Sequence, residues 1–276
     1  MKNTLLKQRK YYNNSHYFID KEKKVLILEN NFFQSLKKNI GNWNGFKKIG
    51  GSSLGDVLLT DQFKSQFLAF IRMSKLDMPI LDKKYINAGI AIEPKVISVI
   101  EKKINKKVIT FPPDKYQYDF FKDKDNIVGG IPDGYIEDLN LLIEIKTTQF
   151  KNLTKWENEE IPISYLKQAQ LYAYLMNVEQ FAIVAAFLEE QDYINPENFP
   201  IEKRHIKVYK YKLNKSQVED DIEKIKTWYL KYTNSGISPE YNLKLDGELL
   251  EYLECQNIFE WEKLIDKWIL MGKIKI

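Results

Sequence analysis

Apolar and polar residues recur along this chain with two different periods, and the changes of period mark out its elements. Residues 25–28 (VLIL) form a short apolar run that reads as a strand, and residues 30–38 read as a helix. Helical spacing returns over residues 52–59, 63–74 and 83–103, where Ile86, Ile90, Ile92, Val96, Ile97 and Ile100 make an apolar stripe. Ser52 or Ser53 is expected to cap the first of these helices. Pro94 should start or kink a helix, so residues 83–103 are expected to form two segments. Residues 107–111, 127–136 and 141–147 read as strands, followed by a helix over 162–177 and strands over 180–188 and 205–212. A helix over 215–232 and two weaker ones over 247–254 and 259–270 complete the chain. Strands framed by helices predict an α/β fold with a central mixed sheet.

Composition narrows the class. A chain of 276 residues that is 44% hydrophobic can bury a substantial core and is not disordered. The net charge of +4 excludes a histone-like polycation, so any nucleic-acid surface must come from local clustering of lysine. Arginine occurs only at positions 9, 72 and 204, and Lys, Asn and Ile are abundant, a usage typical of an AT-rich genome. The single Cys255 excludes an internal disulfide and fits a reducing cytosol. No apolar run approaches the roughly 20 residues a membrane span needs, and the N-terminus lacks the apolar segment of a signal peptide. A cytoplasmic protein without a membrane partner is expected.

Candidate chemistry concentrates in residues 129–148, GGIPDGYIEDLNLLIEIKTT. On a strand, Glu144 and Lys146 project to one face while Ile143 and Ile145 project into the core. The loop 137–140 can fold the chain back and bring the Asp133 carboxylate beside Glu144. Two acidic oxygens suited to a hard divalent cation, with a lysine beside them, make a metal-dependent hydrolytic site. A turn-forming Asp and a half-exposed strand edge would leave the same pattern, so its companions matter.

Those companions are Glu93 in an apolar helical segment, and Gln168, Gln170 and Tyr172 on a later helix. Gln168 and Tyr172 are four apart and share a face, whereas Gln170 lies on another part of the surface. Ile49-Gly-Gly-Ser-Ser-Leu-Gly55, preceded by Lys47 and Lys48, offers a glycine-rich helix start as a phosphate cradle.

Taken in order, these segments resemble the YqaJ-like viral recombinase family, of the phage lambda exonuclease type within the PD-(D/E)XK nuclease superfamily. The resemblance covers roughly residues 46–190. It implies a PD-(D/E)XK nuclease-like core over residues 46–235, with an N-terminal extension (1–45) and a C-terminal helical extension (236–276). It implies a Mg²⁺-dependent exonuclease, with Mn²⁺ as a substitute, that degrades one strand of linear duplex DNA from its 5′ end. Asp133 and Glu144 match the metal-binding acids, the carbonyl of Ile145 supplies another oxygen, and Glu93 completes a second metal position. Lys146 matches the motif lysine, and Gln170 or Gln168 matches the helix glutamine near the site. Ser52 falls where the family places a hydroxyl for the DNA 5′-phosphate, with Ser53 and Tyr172 as further phosphate candidates. The family's Arg just upstream is absent, and Lys47 or Lys48 would stand in without the two-pronged geometry of a guanidinium. The resemblance also suggests a single-strand annealing protein as partner and a homo-oligomer, since family members can form rings around DNA.

Three other readings stay open. A restriction-type endonuclease would need a base-reading element in the unmatched termini. A RecB-type exonuclease with a four-cysteine iron–sulfur cluster is excluded by the single cysteine, though a cluster-free version is not. A non-catalytic DNA-binding module would retain the fold, although intact Asp133, Glu144 and Lys146 argue against a dead site. Trp261 and Trp268, seven apart, could cover the core or make an oligomer contact, and the core is the commoner use.

Overall fold

The computed structural model describes residues 2–40, 44–158 and 160–274, with Ser52 described by its backbone alone. It divides into two units, one of Met1–Asp82, Asn126–Val128 and Ile222–Ile276, the other of Lys83–Asp125 and Gly129–Asp221.

The first unit opens with helix α1 (Lys2–Gln8) and strand β1 (Tyr17–Asp20), both too short to leave a periodic signal. Strand β1 pairs antiparallel with β2 (Val25–Leu28), the strand expected from the apolar run. Helix α2 (Asn30–Lys38) starts where expected, because the Glu29 carboxylate accepts from the amides of Asn31 and Phe32. Helix α3 (Gly51–Leu58) corrects the capping expectation. Its cap is Gly50, without a side-chain bond, and the Ser53 amide already donates to the Gly50 carbonyl at 2.9 Å. Helix α4 (Gln66–Met73) begins later than the periodicity suggested, since the Ser65 hydroxyl caps it through the Leu68 amide.

In the second unit, α5 (Lys84–Ile104) runs unbroken through Pro94, against the expectation of two segments. Proline removes one intrahelical bond, to the Ile90 carbonyl, and Ile90 is exposed enough for water to take that bond over. The buried stripe Ala88, Ile92, Val96 and Ile100 then holds both halves against the sheet. Strand β3 (Gly134–Ile136) is only the end of the expected 127–136 strand, because Gly130 at φ +139° and Pro132 cannot continue a ladder. Residues 107–111 make no strand either. Ile109 exchanges two bonds with Tyr135, and Pro112 and Pro113 then stop the pairing.

Strand β4 (Leu141–Gln149), helices α6 (Leu153–Glu157) and α7 (Ile163–Met176), strand β5 (Gln180–Leu188), helix α8 (Glu190–Ile194) and strand β6 (His205–Lys212) follow. The sheet order is β3-β4-β5-β6, with β4 and β5 parallel and the outer pairs antiparallel, so the sheet is mixed as expected. The parallel step needs a crossover, which α6 and α7 supply. One sheet face carries Leu141, Ile143 and Ile145 of β4 and Ala182, Val184 and Ala186 of β5 into a core with α5. The other face of β4 carries Glu144 and Lys146, as the period of two requires.

Helix α9 (Lys215–Ser235) leads to α10 (Leu243–Glu254) and α11 (Ile258–Leu270), capped by Asn242 and Asn257. The Asn242 cap starts α10 four residues before the expected position and leaves Gly247 in its interior. Trp261 and Trp268 are fully buried in the first unit, edge to face at 5.7 Å, so they serve its core. Among the described residues no helix is long and apolar enough to cross a membrane.

Candidate active site

The β3–β4 hairpin turns through a 3₁₀ turn at Glu137–Leu139 and Asn140 in the left-handed conformation, a backbone state Asn tolerates. Its register pairs Gly134 with Ile143, which sets Asp133 level with Glu144. Asp133 Oδ2 accepts from the Ile145 amide at 2.6 Å, so the carboxylate is pinned to the β4 backbone. Gly134 does not turn the chain. It is the first residue of β3, where a Cβ would come within 2.7 Å of Val108 Cγ1.

Glu144 is 1% exposed and Lys146 approaches it along the same strand face. Lys146 Nζ donates to Glu144 Oε1 at 2.7 Å and to Gln168 Oε1 at 3.1 Å, and lies 4.9 Å from the Tyr165 ring centroid. Glu144 Oε2 is buried without a hydrogen-bond partner, a costly state for a carboxylate oxygen. Glu93 is half-buried on α5, the helix whose Gly89 lies beside Thr147 of β4.

The electrostatics tie these groups together. Burial pushes Asp133 well above the ordinary carboxylate range, with the Glu144 and Glu93 charges adding and Lys146 opposing. Burial raises Glu144 as well, against Lys146. Glu93 is raised by burial and then by the Glu144 charge. Burial alone would lower Lys146, yet Glu144 and Asp133 outweigh it and hold the side chain as an ammonium.

These acids influence one another, although among the described residues no three His, Cys, Asp or Glu side chains form a ready-made metal site. The donor chemistry nonetheless fits a hard divalent cation: carboxylate oxygens in mutual repulsion, one of them buried and unpartnered. Ile145 contributes its amide to Asp133 and its side chain to the core.

The two glutamines part company. Gln168 reaches Lys146, whereas Gln170 is buried, donating to Gln217 Oε1 at 3.2 Å and accepting from the Asn214 amide at 3.1 Å. Tyr172 is also buried, packed on Phe121 and against Gly130, where a Cβ would lie 2.2 Å from its hydroxyl. It offers no exposed surface for a phosphate. Tyr165 was not anticipated, although its position three residues before Gln168 puts both on one helix face. Asp119, also unforeseen, accepts from the amides of Phe121 and Gly130 and so fixes the glycine turn ahead of Asp133.

The remaining phosphate candidates belong to the first unit. Ser53 is buried in the first turn of α3, Lys47 is exposed with Nζ 3.2 Å from Asp77 Oδ1, and Lys48 is half-buried. The side chain of Ser52 lies outside the described residues.

A mixed sheet carrying an Asp, Glu and Lys on one hairpin, with a helix glutamine on the lysine, defines the PD-(D/E)XK class of nuclease folds. A phage-related exonuclease from Haemophilus somnus has a similar structure (TM-score 0.52, 16% identity, 68% of this chain and 94% of that one). The alkaline exonuclease LHK-Exo from Laribacter hongkongensis does too (TM-score 0.51, 13% identity, 74% and 93%), and that enzyme is also known in complex with dAMP. In sequence, the chain is 31% identical to the uncharacterized protein MG373 of Mycoplasma genitalium, over 78% of this chain and 90% of the relative. The YqaJ-like viral recombinase domain matches residues 42–179, and the chain belongs to that family. Family and fold together support a nuclease.

Proposed function

We propose that this protein is a divalent-cation-dependent exonuclease of linear duplex DNA, working 5′ to 3′ in phage-type recombination or DNA processing. The reading rests above all on the buried Glu144, with one oxygen on Lys146 and the other unpartnered, beside the pinned Asp133. In this reading Asp133 and Glu144 hold the cation, with Glu93 and the Ile145 carbonyl as further donors. Bound Mg²⁺, or Mn²⁺ in its place, would supply Lewis acidity at the scissile phosphodiester. Lys146 keeps its proton at Nζ, so it acts by its charge and not as a base. That ammonium orients the attacking water and offsets the negative charge that grows on the phosphate oxygens. Gln168 and the Tyr165 ring hold Lys146 in place through the hydrogen bond and the ring face. Residues 46–235 carry the nuclease domain in this reading, in a cytoplasmic protein. A homo-oligomer and a single-strand annealing partner are further parts of it.

Grip on the substrate through phosphates makes activity fall as salt rises and leaves little sequence preference. The test is degradation of a linear duplex labelled at either 5′ end, with and without Mg²⁺, beside a closed circle and the Lys146→Ala variant. Stepwise loss of one strand that spares the circle and is absent from the variant supports the proposal. Cutting of the circle makes the protein an endonuclease. DNA binding without cleavage in Mg²⁺ or Mn²⁺ makes it a non-catalytic module.

A further inference from the structure

The Tyr165 hydroxyl has no part in holding Lys146. The Tyr165 backbone is fixed in the first turn of α7, where its amide donates to the Pro162 carbonyl at 2.9 Å. Its ring centroid lies 4.9 Å from Lys146 Nζ and 6.0 Å from the ring of Trp156. Trp156 is buried and sits edge to face on Phe187 and Tyr209, so it is a rigid support. Both contacts are made by the ring, and a phenylalanine would serve in either. Among the described residues the hydroxyl makes no hydrogen bond, yet it is not sealed from solvent.

Other donors stand open beside it. An ammonium can only donate, so the bond from Lys146 turns Gln168 with Oε1 toward the lysine and its NH₂ away. That NH₂ has no partner among the described residues. Lys146 gives one N–H to Glu144 and one to Gln168, and an ammonium has a third. Tyr165 and Gln168 share the face of α7 that meets the lysine. Burial would lower Lys146, and the Glu144 and Asp133 charges raise it with a smaller addition from Tyr165, so the phenol oxygen lies near the ammonium. Donors therefore gather around Lys146, while the acceptors of the site, Asp133 and Glu144, stand on the hairpin.

We propose that the Tyr165 hydroxyl is a catalytic donor that binds one non-bridging oxygen of the scissile phosphodiester, together with the Gln168 NH₂ and the remaining Nζ–H of Lys146. This rests on the nuclease reading above. A phosphodiester has two non-bridging oxygens, one of which falls to the cation side of the site at Asp133 and Glu144. The other needs fixed hydrogen-bond donors, whose effect strengthens as charge grows on it in the transition state. No proton is transferred, since the phenol donates a hydrogen bond and keeps its hydrogen.

The test compares the full-length wild type with Tyr165→Phe, which keeps the ring on Lys146 and removes only the hydroxyl. Thermal unfolding is measured, with anisotropy of a labelled linear duplex in Ca²⁺ and single-turnover cleavage in Mg²⁺. Cleavage is repeated on duplexes carrying an Rp or an Sp phosphorothioate at the first linkage cut. Unchanged melting with a rate lowered about 10- to 100-fold is expected, the worth of a hydrogen bond to a charged group. For one sulfur diastereomer the penalty seen in the wild type should shrink at least about threefold in the variant, because sulfur is a weak acceptor and the variant has no bond left to weaken. A tyrosine that only packs would leave that ratio unmoved. A wild-type rate in Tyr165→Phe, or equal sulfur penalties in the two proteins, would overturn the proposal. A wild type that binds the duplex but cuts in neither Mg²⁺ nor Mn²⁺ removes the nuclease reading alone. The hydroxyl is then judged by affinity in Ca²⁺, where a loss of at least about threefold in Tyr165→Phe retains the phosphate contact and equal affinity overturns it. A wild type that neither cuts nor binds overturns both.

Discussion

Two glutamines two residues apart on α7 should fail in opposite ways when replaced by leucine. Gln170 is 6% exposed and makes two hydrogen bonds, one to Gln217 and one from the Asn214 amide. A net intramolecular hydrogen bond contributes about 0.5–1.5 kcal/mol. Asn214 and Gln217 occupy exposed positions, so water can take over their freed groups and the larger penalty of a buried orphan does not apply. Gln170→Leu should therefore cost roughly 1–3 kcal/mol in all. At about 2–4 °C per kcal/mol for a chain of this size class, the melting temperature should drop by roughly 2–12 °C. Well below that temperature its nuclease rate should stay within about twofold of the wild type, since nothing attached to Lys146 has changed.

Gln168→Leu should behave the other way. It removes one bond to Lys146 Nζ, while Glu144 keeps its own at 2.7 Å, so the fold loses little. Misplacing the ammonium should cost about 1.4–2.7 kcal/mol at the transition state, which is roughly 10- to 100-fold in rate. Thermal melts and initial rates on a labelled linear duplex in Mg²⁺ measure both quantities. A Gln170→Leu protein that melts like the wild type but has lost tenfold in rate, beside a fully active Gln168→Leu, would refute the assignment.

The acid cluster predicts a coupling of cation and pH. Asp133, Glu144 and Glu93 are raised on folding, so their contribution is full below the unfolded carboxylate range of about 4 and is lost as pH rises through the raised values. Mg²⁺ should therefore raise the melting temperature more at pH 8 than at pH 5, and a Glu144→Gln variant with the same difference would contradict this. Asp192 has the opposite sign. Burial would raise it, but the paired bonds from Arg204 at 2.7 and 2.9 Å win and hold it below the usual range. Arg204→Met strands that buried carboxylate and should cost about 3 kcal/mol at pH 7. Denaturant melts should show the gap closing below about pH 4, as Asp192 takes up its proton in both proteins. Gly130→Ala places a Cβ 2.2 Å from the Tyr172 hydroxyl at φ +139°, and should cost more than about 3 kcal/mol, read as a collapse of soluble yield. Normal yield and melting would mean that the glycine turn is not as tight as described.

Much of this protein was legible where the physics is local. The period of two in 141–147 placed Glu144 and Lys146 on one face, and β4 has them there. The turn at 137–140 brings Asp133 level with Glu144, and the order of motifs named the family. Helix α2 and strands β5 and β6 match their expected limits, because a side-chain cap or an unbroken β-rich run decides them within a few residues.

Other features were settled by groups distant in sequence. Whether Pro94 breaks a helix depends on the sheet that α5 covers, and whether 107–111 pairs depends on two prolines and one partner residue. Helical spacing separates Gln168 from Gln170, but it cannot say which of them meets Lys146, because that depends on where α7 lies on β4 and β5 and on what α9 offers in return. Burial likewise reverses the usual expectation for the carboxylates, raising them in spite of a lysine at hydrogen-bond distance. Period, cap and turn chemistry act within a few residues, so the sequence by itself determined most of the longer helices and strands, the acid–lysine hairpin and the family. Solvent exclusion and cross-chain pairing arise only when distant segments meet, so the tertiary structure alone decided which side chains share a site and what charge they carry.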